Sequence, residues 1–251
     1  MPRPNRKPPS RVALLTGAAG QLGRATAVRL HEDGYLIALV DRDAEGCKTL
    51  AEALGDRALA IGADLLARDQ VEEVVARCQG HFGPVDILVN NAGVYTAHKI
   101  ADTSDEEWRR VLGINLDAAF YLSRAILPGM MERRFGRVVN VCSMAMKNGG
   151  LLAGTAYAAS KGALGAMTFS LAREAAPFGV TVNALAPAFV ASPMLSGNLS
   201  RSSLARAKRQ IPVGRFCEPD EFAHCVSFLV SPKSGFITGE ILDLNGGLHF
   251  D

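Results

Sequence analysis

Tyr157 and Lys161 stand four residues apart in Thr155-Ala156-Tyr157-Ala158-Ala159-Ser160-Lys161, a stretch with a helical pattern. A phenol and an ammonium therefore leave one face of a helix and share one pocket. A tyrosine gives up its proton near a pH of about 10, and a cation within a few ångströms favours the phenolate. Bringing that proton within reach of neutral pH takes about 3–4 kcal/mol, which one nearby charge and a hydrogen bond can supply. The pair is a candidate general base, although a Lys at this spacing from a Tyr also arises by chance. Ser143 lies upstream of it, at the end of the apolar run Arg137–Cys142.

A second group of residues suits an anion. The apolar run Arg11–Thr16 is closed by Gly17-Ala18-Ala19-Gly20-Gln21-Leu22-Gly23 and followed by an amphipathic stretch to about Asp33. Strand, glycine-rich turn and helix make a phosphate site, because glycines let backbone N–H groups approach a pyrophosphate and the helix N-terminus adds partial positive charge. The next apolar run, Tyr35–Val40, ends at Asp41. An acid about twenty residues beyond such a turn can bind the ribose hydroxyls of an adenosine. Asp41 would repel a 2′-phosphate, which favours NAD over NADP. Arg42 beside it would attract that phosphate, but the glycine turn itself holds no Lys or Arg. Asp41 has a second reading as the cap of a helix starting at Ala44.

These groups need a scaffold, and the pattern supplies one. Helices near Ala44–Leu54 and Arg68–His81 alternate with strands at Ala58–Ile61 and Val85–Val89, the last running into Asn90-Asn91-Ala92-Gly93. A long helix from about Ser104 to Arg133 carries Asn115, a polar residue among apolar ones. Strands follow at Arg137–Cys142, Val180–Leu185 and Glu240–Leu244, with helices from Thr155 and over Glu218–Leu229. Repeated β-α-β units predict one α/β domain: a doubly wound, Rossmann-like parallel sheet of about seven strands with helices on both faces. Residues 189–212 read as a mobile lid.

Bulk properties narrow the field. The chain has 251 residues, 48% hydrophobic and 21% charged, which suits a single soluble domain over residues 11–251. A net charge of +2 gives no reason to invoke nucleic acid or a membrane surface. The basic, Pro-rich residues 1–10 read as a disordered tail; no signal peptide or span of roughly 20 apolar residues is seen, so a cytoplasmic location is expected. Five Cys without metal spacing read as buried or incidental thiols, and no metal site is expected.

Taken together, T-G-A-A-G-Q-L-G at Thr16–Gly23, Asp64, N-N-A-G at Asn90–Gly93, Asn115, Ser143 and Y-A-A-S-K at Tyr157–Lys161 resemble the short-chain dehydrogenase/reductase family in its single-domain form. V-N-A-L-A-P at Val182–Pro187 and I-T-G-E at Ile237–Glu240 extend the likeness from Arg11 to about Gly247. The resemblance implies Tyr157 as general acid/base, with Lys161 lowering its pKa and holding the nicotinamide ribose. It implies that Ser143 binds the substrate oxygen and that Asn115 holds a water leading from Lys161 to solvent. Asp64, Leu65, Asn91, Ala92 and Gly93 would line the adenosine side of the cofactor, and Pro187, Val190 and Ser192 the nicotinamide end. The chain departs from the family at four places: Gly20 stands one position early with Gln21 in its place, Ser143 is one residue further from Tyr157 than is common, Ala188 replaces a Gly, and Asn245 replaces an Asp.

The expected reaction is interconversion of a secondary alcohol and a ketone, NAD accepting the hydride while Tyr157 handles the hydroxyl proton. Tyr95, Met144, Leu151 and Met194 suggest apolar substrate walls. Arg201, Arg206, Lys208 and Arg209 read either as a solvated helix face or as steering for an anionic carrier; the latter supports the alternative, an NADPH-dependent 3-oxoacyl thioester reductase. A third reading is a non-catalytic dinucleotide sensor, against which the intact Ser143, Tyr157 and Lys161 argue. The resemblance also implies a homo-tetramer, or a dimer, through the Ser104–Arg133 and Thr155–Pro177 helices.

Overall fold

The computed structural model describes residues 10–150, 152–191 and 200–250. Apart from Ser10, the expected tail lies outside the described residues.

Seven parallel strands form one sheet: β1 (Val12–Thr16), β2 (Leu36–Asp41), β3 (Ala58–Gly62), β4 (Ile87–Asn90), β5 (Gly136–Val141), β6 (Val180–Pro187) and β7 (Ile241–Leu244), in the order β3-β2-β1-β4-β5-β6-β7. Helices α1 (Gln21–Glu32), α2 (Ala44–Leu54), α3 (Arg68–Phe82), α4 (Asp105–Leu112), α5 (Ala118–Glu132), α6 (Ala145–Asn148), α7 (Thr155–Ala175), α8 (Arg201–Gln210) and α9 (Pro219–Val230) connect them. The strands read as unbroken apolar runs because both faces are covered. Val12, Leu14, Ala38, Val40, Leu88 and Val138 pack with α3, α5 and α7. Their alternate neighbours Ala13, Leu15, Ile37, Leu39, Val89 and Val139 pack with α1, α2 and α9.

Chain order reverses at β1, which pairs with β2 on one side and β4 on the other. That reversal opens a crevice at the strands' carboxyl ends, where such sheets bind ligands. The glycine turn and Asn90–Gly93 both lie there.

The single helix expected over Ser104–Arg133 is in fact α4, one π turn at Gly113–Asp117, and α5. The π turn widens the helix at Asn115, which is 1% exposed and hydrogen-bonded to two other segments. The short helix α6 forms within the expected loop after Ser143. Of the expected lid, Ser192–Leu199 lie outside the described residues; α8 follows, capped by Ser200. Arg206, Lys208 and Arg209 on α8 are exposed. Among the described residues no helix is long and apolar enough to cross a membrane, and no cluster of ligands fits a metal ion.

Candidate active site

Strand β5 delivers Ser143 to the rim of the crevice, and α7 brings Tyr157 and Lys161 to the same place. The Ser143 Oγ accepts a hydrogen bond from the Ala145 N–H at 3.1 Å, which starts α6 and orients the hydroxyl. The hydroxyl also hydrogen-bonds the Tyr157 phenol and draws its pKa down, but burial is the larger influence and leaves Tyr157 above its ordinary value of 10.0. Lys161 is 3% exposed, and burial lowers its ammonium to about 8. Its Nζ donates to the Val141 carbonyl at 2.6 Å and lies 5.9 Å from the centre of the Tyr157 ring.

Lys161 is expected to lower the Tyr157 pKa; in the folded chain its ammonium and the phenol have different hydrogen-bond partners. The ammonium places one of its three donors on a strand-end carbonyl, and Ser143 bonds the phenol.

Asn115 joins three segments. Its Oδ1 accepts from the Val94 N–H at 2.8 Å, while Nδ2 donates to the Val94 carbonyl at 3.1 Å and to Ser160 Oγ at 3.0 Å. Both amide hydrogens are thus committed, so the side chain first of all locks the loop after β4 to α7. Gly93 lies beside it: a Cβ there would come within 3.3 Å of both Asn115 Oδ1 and Lys161 Nζ.

The glycine turn sits at the end of β1. Gly17 has φ +66, and a Cβ there would approach Ala92 Cα to 2.9 Å. A Cβ on Gly23 would overlap the Gly17 carbonyl and come 2.7 Å from Ala18 Cα, so helix and strand pack this closely only with glycine. Gly20, by contrast, has φ −69 and caps α1, with Gln21 as the first exposed helical residue. The shifted glycine thus falls at the helix cap, in an extended conformation open to any residue. No side chain caps α1 and no acid lies in its first turn, and Leu22 is half-buried just inside it.

Asp41 ends β2 with its carboxylate fixed: Oδ2 accepts from the Ala19 N–H at 3.1 Å and Oδ1 from the Asp43 N–H at 3.1 Å. The helix cap proposed for Asp41 is Asp43, whose side chain accepts from Gly46. Arg42 is exposed, as is Asp64; Leu65 is buried. The Asn91 side chain is turned inward, donating to the Thr16 and Gly17 carbonyls at 2.9 and 3.1 Å, so it holds the turn in place. Pro187 and Val190 are buried at the end of β6, and Ser192 lies outside the described residues. An uncapped helix start without acids, an oriented carboxylate at the end of β2, and a backbone at Gly93 open to Lys161 fit a nicotinamide dinucleotide.

The substrate walls are more constrained than the sequence suggests. The Tyr95 ring tilts against Tyr157 with centroids 5.3 Å apart, and its hydroxyl donates to the Leu152 carbonyl at 2.5 Å. Tyr95 thus offers an apolar ring rather than a hydroxyl. Met144 is 7% exposed, with its N–H on the Pro187 carbonyl. Leu151 and Met194 lie outside the described residues. Three contacts were not foreseen: Lys147 Nζ bonds Asp243 across to β7 at 2.9 Å, Lys99 Nζ bonds the Gly150 and Ala153 carbonyls, and Glu107 receives both Thr96 and His98. All join segments that belong to different elements of the fold. The remaining departures have simple accounts. Gly149 and Gly150 form a left-handed turn in the lengthened loop, Ala188 donates to the Leu244 carbonyl, and Asn245 both donates to His249 and accepts from Gly247. The five cysteines are free thiols; Cys47 and Cys78 are pushed up to about 12 by burial and Cys142 to about 11.

Comparison with known proteins agrees with this fold. The family model described as Enoyl-(Acyl carrier protein) reductase matches residues 17–249. The 3-oxoacyl-(acyl-carrier-protein) reductase FabG of Vibrio cholerae serotype O1 is 38% identical over 240 residues, covering 95% of this chain and 97% of its own. Two crystal structures from Brucella melitensis superpose closely. One, a short-chain dehydrogenase/reductase titled glucose/ribitol dehydrogenase, has a TM-score of 0.88 and 37% identity, covering 96% of this chain and 97% of its own. The other, a 3-ketoacyl-(acyl-carrier-protein) reductase complexed with NADH, has a TM-score of 0.89 and 33% identity, covering 95% and 98%. The chain belongs to the short-chain dehydrogenase/reductase family and is an oxidoreductase.

Proposed function

We propose that this short-chain dehydrogenase/reductase reduces the 3-oxo group of an acyl thioester to a hydroxyl, with NADH as the preferred reductant. The observation that carries the reading is the Tyr157 phenol hydrogen-bonded to Ser143 at the crevice rim, which puts a proton donor and a second hydroxyl donor side by side. Such a phenol gives its proton in the reduction and takes it back in the oxidation. The names of the relatives support the thioester, which places the alternative from the sequence ahead of the simple alcohol.

When bound, the reduced nicotinamide supplies a hydride to the carbonyl carbon. Tyr157 gives its proton to the carbonyl oxygen, and Ser143 steadies the same oxygen as charge develops on it, a contribution of a few kcal/mol for such donors. Lys161, held by Val141, keeps a positive charge beside Gly93 where the ribose would lie. Gly17, Gly20, Gln21, Leu22 and Gly23 would hold the pyrophosphate, and Asp41, Asp64 and Leu65 the adenosine, with Ala92 and Gly93 next to it. Pro187, Val190 and Ser192 would meet the nicotinamide end. The pinned Asp41 carboxylate supports NADH over NADPH, since it would repel a 2′-phosphate. Exposed Trp108, Phe120 and Phe169 on α4, α5 and α7 support a homo-tetramer through those helices.

A second reading is NAD-linked oxidation of a secondary alcohol, favoured by the apolar Tyr95 and Met144 walls and by the likeness to a protein titled glucose/ribitol dehydrogenase. Initial rates distinguish the two: NADH and NADPH oxidation with a short 3-oxoacyl pantetheine thioester, against NAD reduction with a secondary-alcohol panel. We expect thioester turnover with NADH, reduced about 10³-fold in Tyr157→Phe. Alcohol oxidation without thioester reduction would put the second reading first. NADH binding without either reaction would indicate a sensor.

A further inference from the structure

The helix that carries Tyr157 begins without a side-chain cap, since its N-cap is Gly154. Its first N–H groups are satisfied from another loop: Gly154 donates to the Thr96 carbonyl at 2.7 Å and Thr155 to the His98 carbonyl at 3.1 Å. The approach is close enough that a Cβ on Gly154 would lie 2.5 Å from the His98 carbonyl oxygen and 2.9 Å from its nitrogen. Tyr157 follows three residues after Gly154. The position of the phenol therefore depends on where Thr96–His98 is held.

One carboxylate holds it. Glu107 of α4 is 15% exposed at its side chain; one of its oxygens accepts from the Thr96 hydroxyl and the other pairs with His98 Nδ1 at 2.5 Å. Thr96 is 7% exposed and its Oγ1 also accepts from the His98 N–H at 3.3 Å, which closes the loop on itself. Thr103 bonds the same turn from beyond, through the His98 and Lys99 carbonyls. A carboxylate that receives two donors from residues i and i+2 of a loop fixes that loop with charge-assisted bonds.

We propose that Glu107 is a positioning residue for the reaction: through Thr96 and His98 it sets the first turn of α7 and so the Tyr157 hydroxyl relative to Ser143. This rests on the reading of Tyr157 as the proton donor, but the link from Glu107 to α7 can be measured without turnover.

The test combines amide hydrogen exchange with steady-state kinetics on Glu107→Ala and Glu107→Gln. In Glu107→Ala the Gly154 and Thr155 amides should lose at least about tenfold protection, while amides in the middle of α7 keep theirs. The kcat should fall roughly 10- to 100-fold while the NADH dissociation constant stays within about twofold, as expected of a misplaced acid rather than a lost binding site. Glu107→Gln keeps an acceptor for Thr96 and should recover a large part of both. Unchanged protection at Gly154 and Thr155 overturns the proposal, and so does lost protection with unchanged kcat. A uniform loss of protection across α7 and α3 would assign Glu107 to global stability and also overturn it. Should the wild type reduce no thioester and oxidise no alcohol, the functional reading fails by itself, and the exchange measurement still decides the structural link.

Discussion

Replacing Lys161 by Met tests how far burial controls the site. In the folded chain the Lys161 ammonium is lowered from 10.5 to about 8 by burial, with the Cys142 thiol nearby pulling weakly the other way. Between these values the unfolded chain still carries a proton that the folded chain has released, so stability rises with pH across that window. Below it both states are charged, and the buried charge is a constant cost. Integrating the titration, the wild type gains about 1 kcal/mol from this group between pH 7 and 9, and Lys161→Met gains nothing from it. Urea denaturation of both proteins at closely spaced pH values measures the difference. The Cys47 and Cys78 thiols pull stability down from near their ordinary value of 9.0, because burial raises them, but that slope is common to both proteins and cancels. Parallel stability curves would refute the reasoning, since Lys161 would then titrate alike folded and unfolded.

The glycine turn gives a paired prediction. Gly23→Ala should lower stability by about 2–3 kcal/mol and weaken NADH binding at least tenfold, because the new methyl meets fixed backbone at Gly17 and Ala18. Gly20→Ala, whose nearest contact would be 3.4 Å, should cost at most about 1 kcal/mol; denaturation and fluorescence titration with NADH check both. The His98–Glu107 pair predicts a pH window. The Glu107 hydrogen bond raises His98 above its ordinary 6.5, with Asp102 adding to it; the Thr96 hydroxyl and then His98 lower Glu107, with Arg110 adding to it. The His98 contribution is complete below its ordinary value and is lost as pH rises through the raised one. That of Glu107 is present above its ordinary value and is lost as pH falls through the lowered one. Thermal melts of wild type and His98→Gln should therefore differ most between the two folded values and converge at alkaline pH; a constant difference would contradict the pairing.

The fold was largely legible because each strand is an unbroken apolar run between turn residues and each helix repeats on its own period. Val12–Thr16 and Leu36–Asp41 were readable to within a residue for that reason. Gly17, Gly23 and Asp41 were legible through spacing along one strand-turn-helix unit. Less was legible where a residue's role depends on a partner far along the chain. Nothing near Asn91 in the chain says that its side-chain amide lies on Thr16 and Gly17. Glu107 carried no signal in the sequence: Ser104 accepts its N–H, while its carboxylate turns to Thr96 and His98.

The sequence by itself determined the order of strands and helices, the glycines that a tight turn requires, and the spacing that puts Tyr157 and Lys161 on one helical face. These depend on local geometry, which the chain carries from residue to residue. Only the tertiary structure decided the charge state of the site. Burial raises Tyr157 and lowers Lys161, Val141 takes the ammonium, and Ser143 takes the phenol. Solvation and long-range hydrogen bonds are properties of surroundings assembled from β5, α4 and α7 together, and no window of sequence contains them.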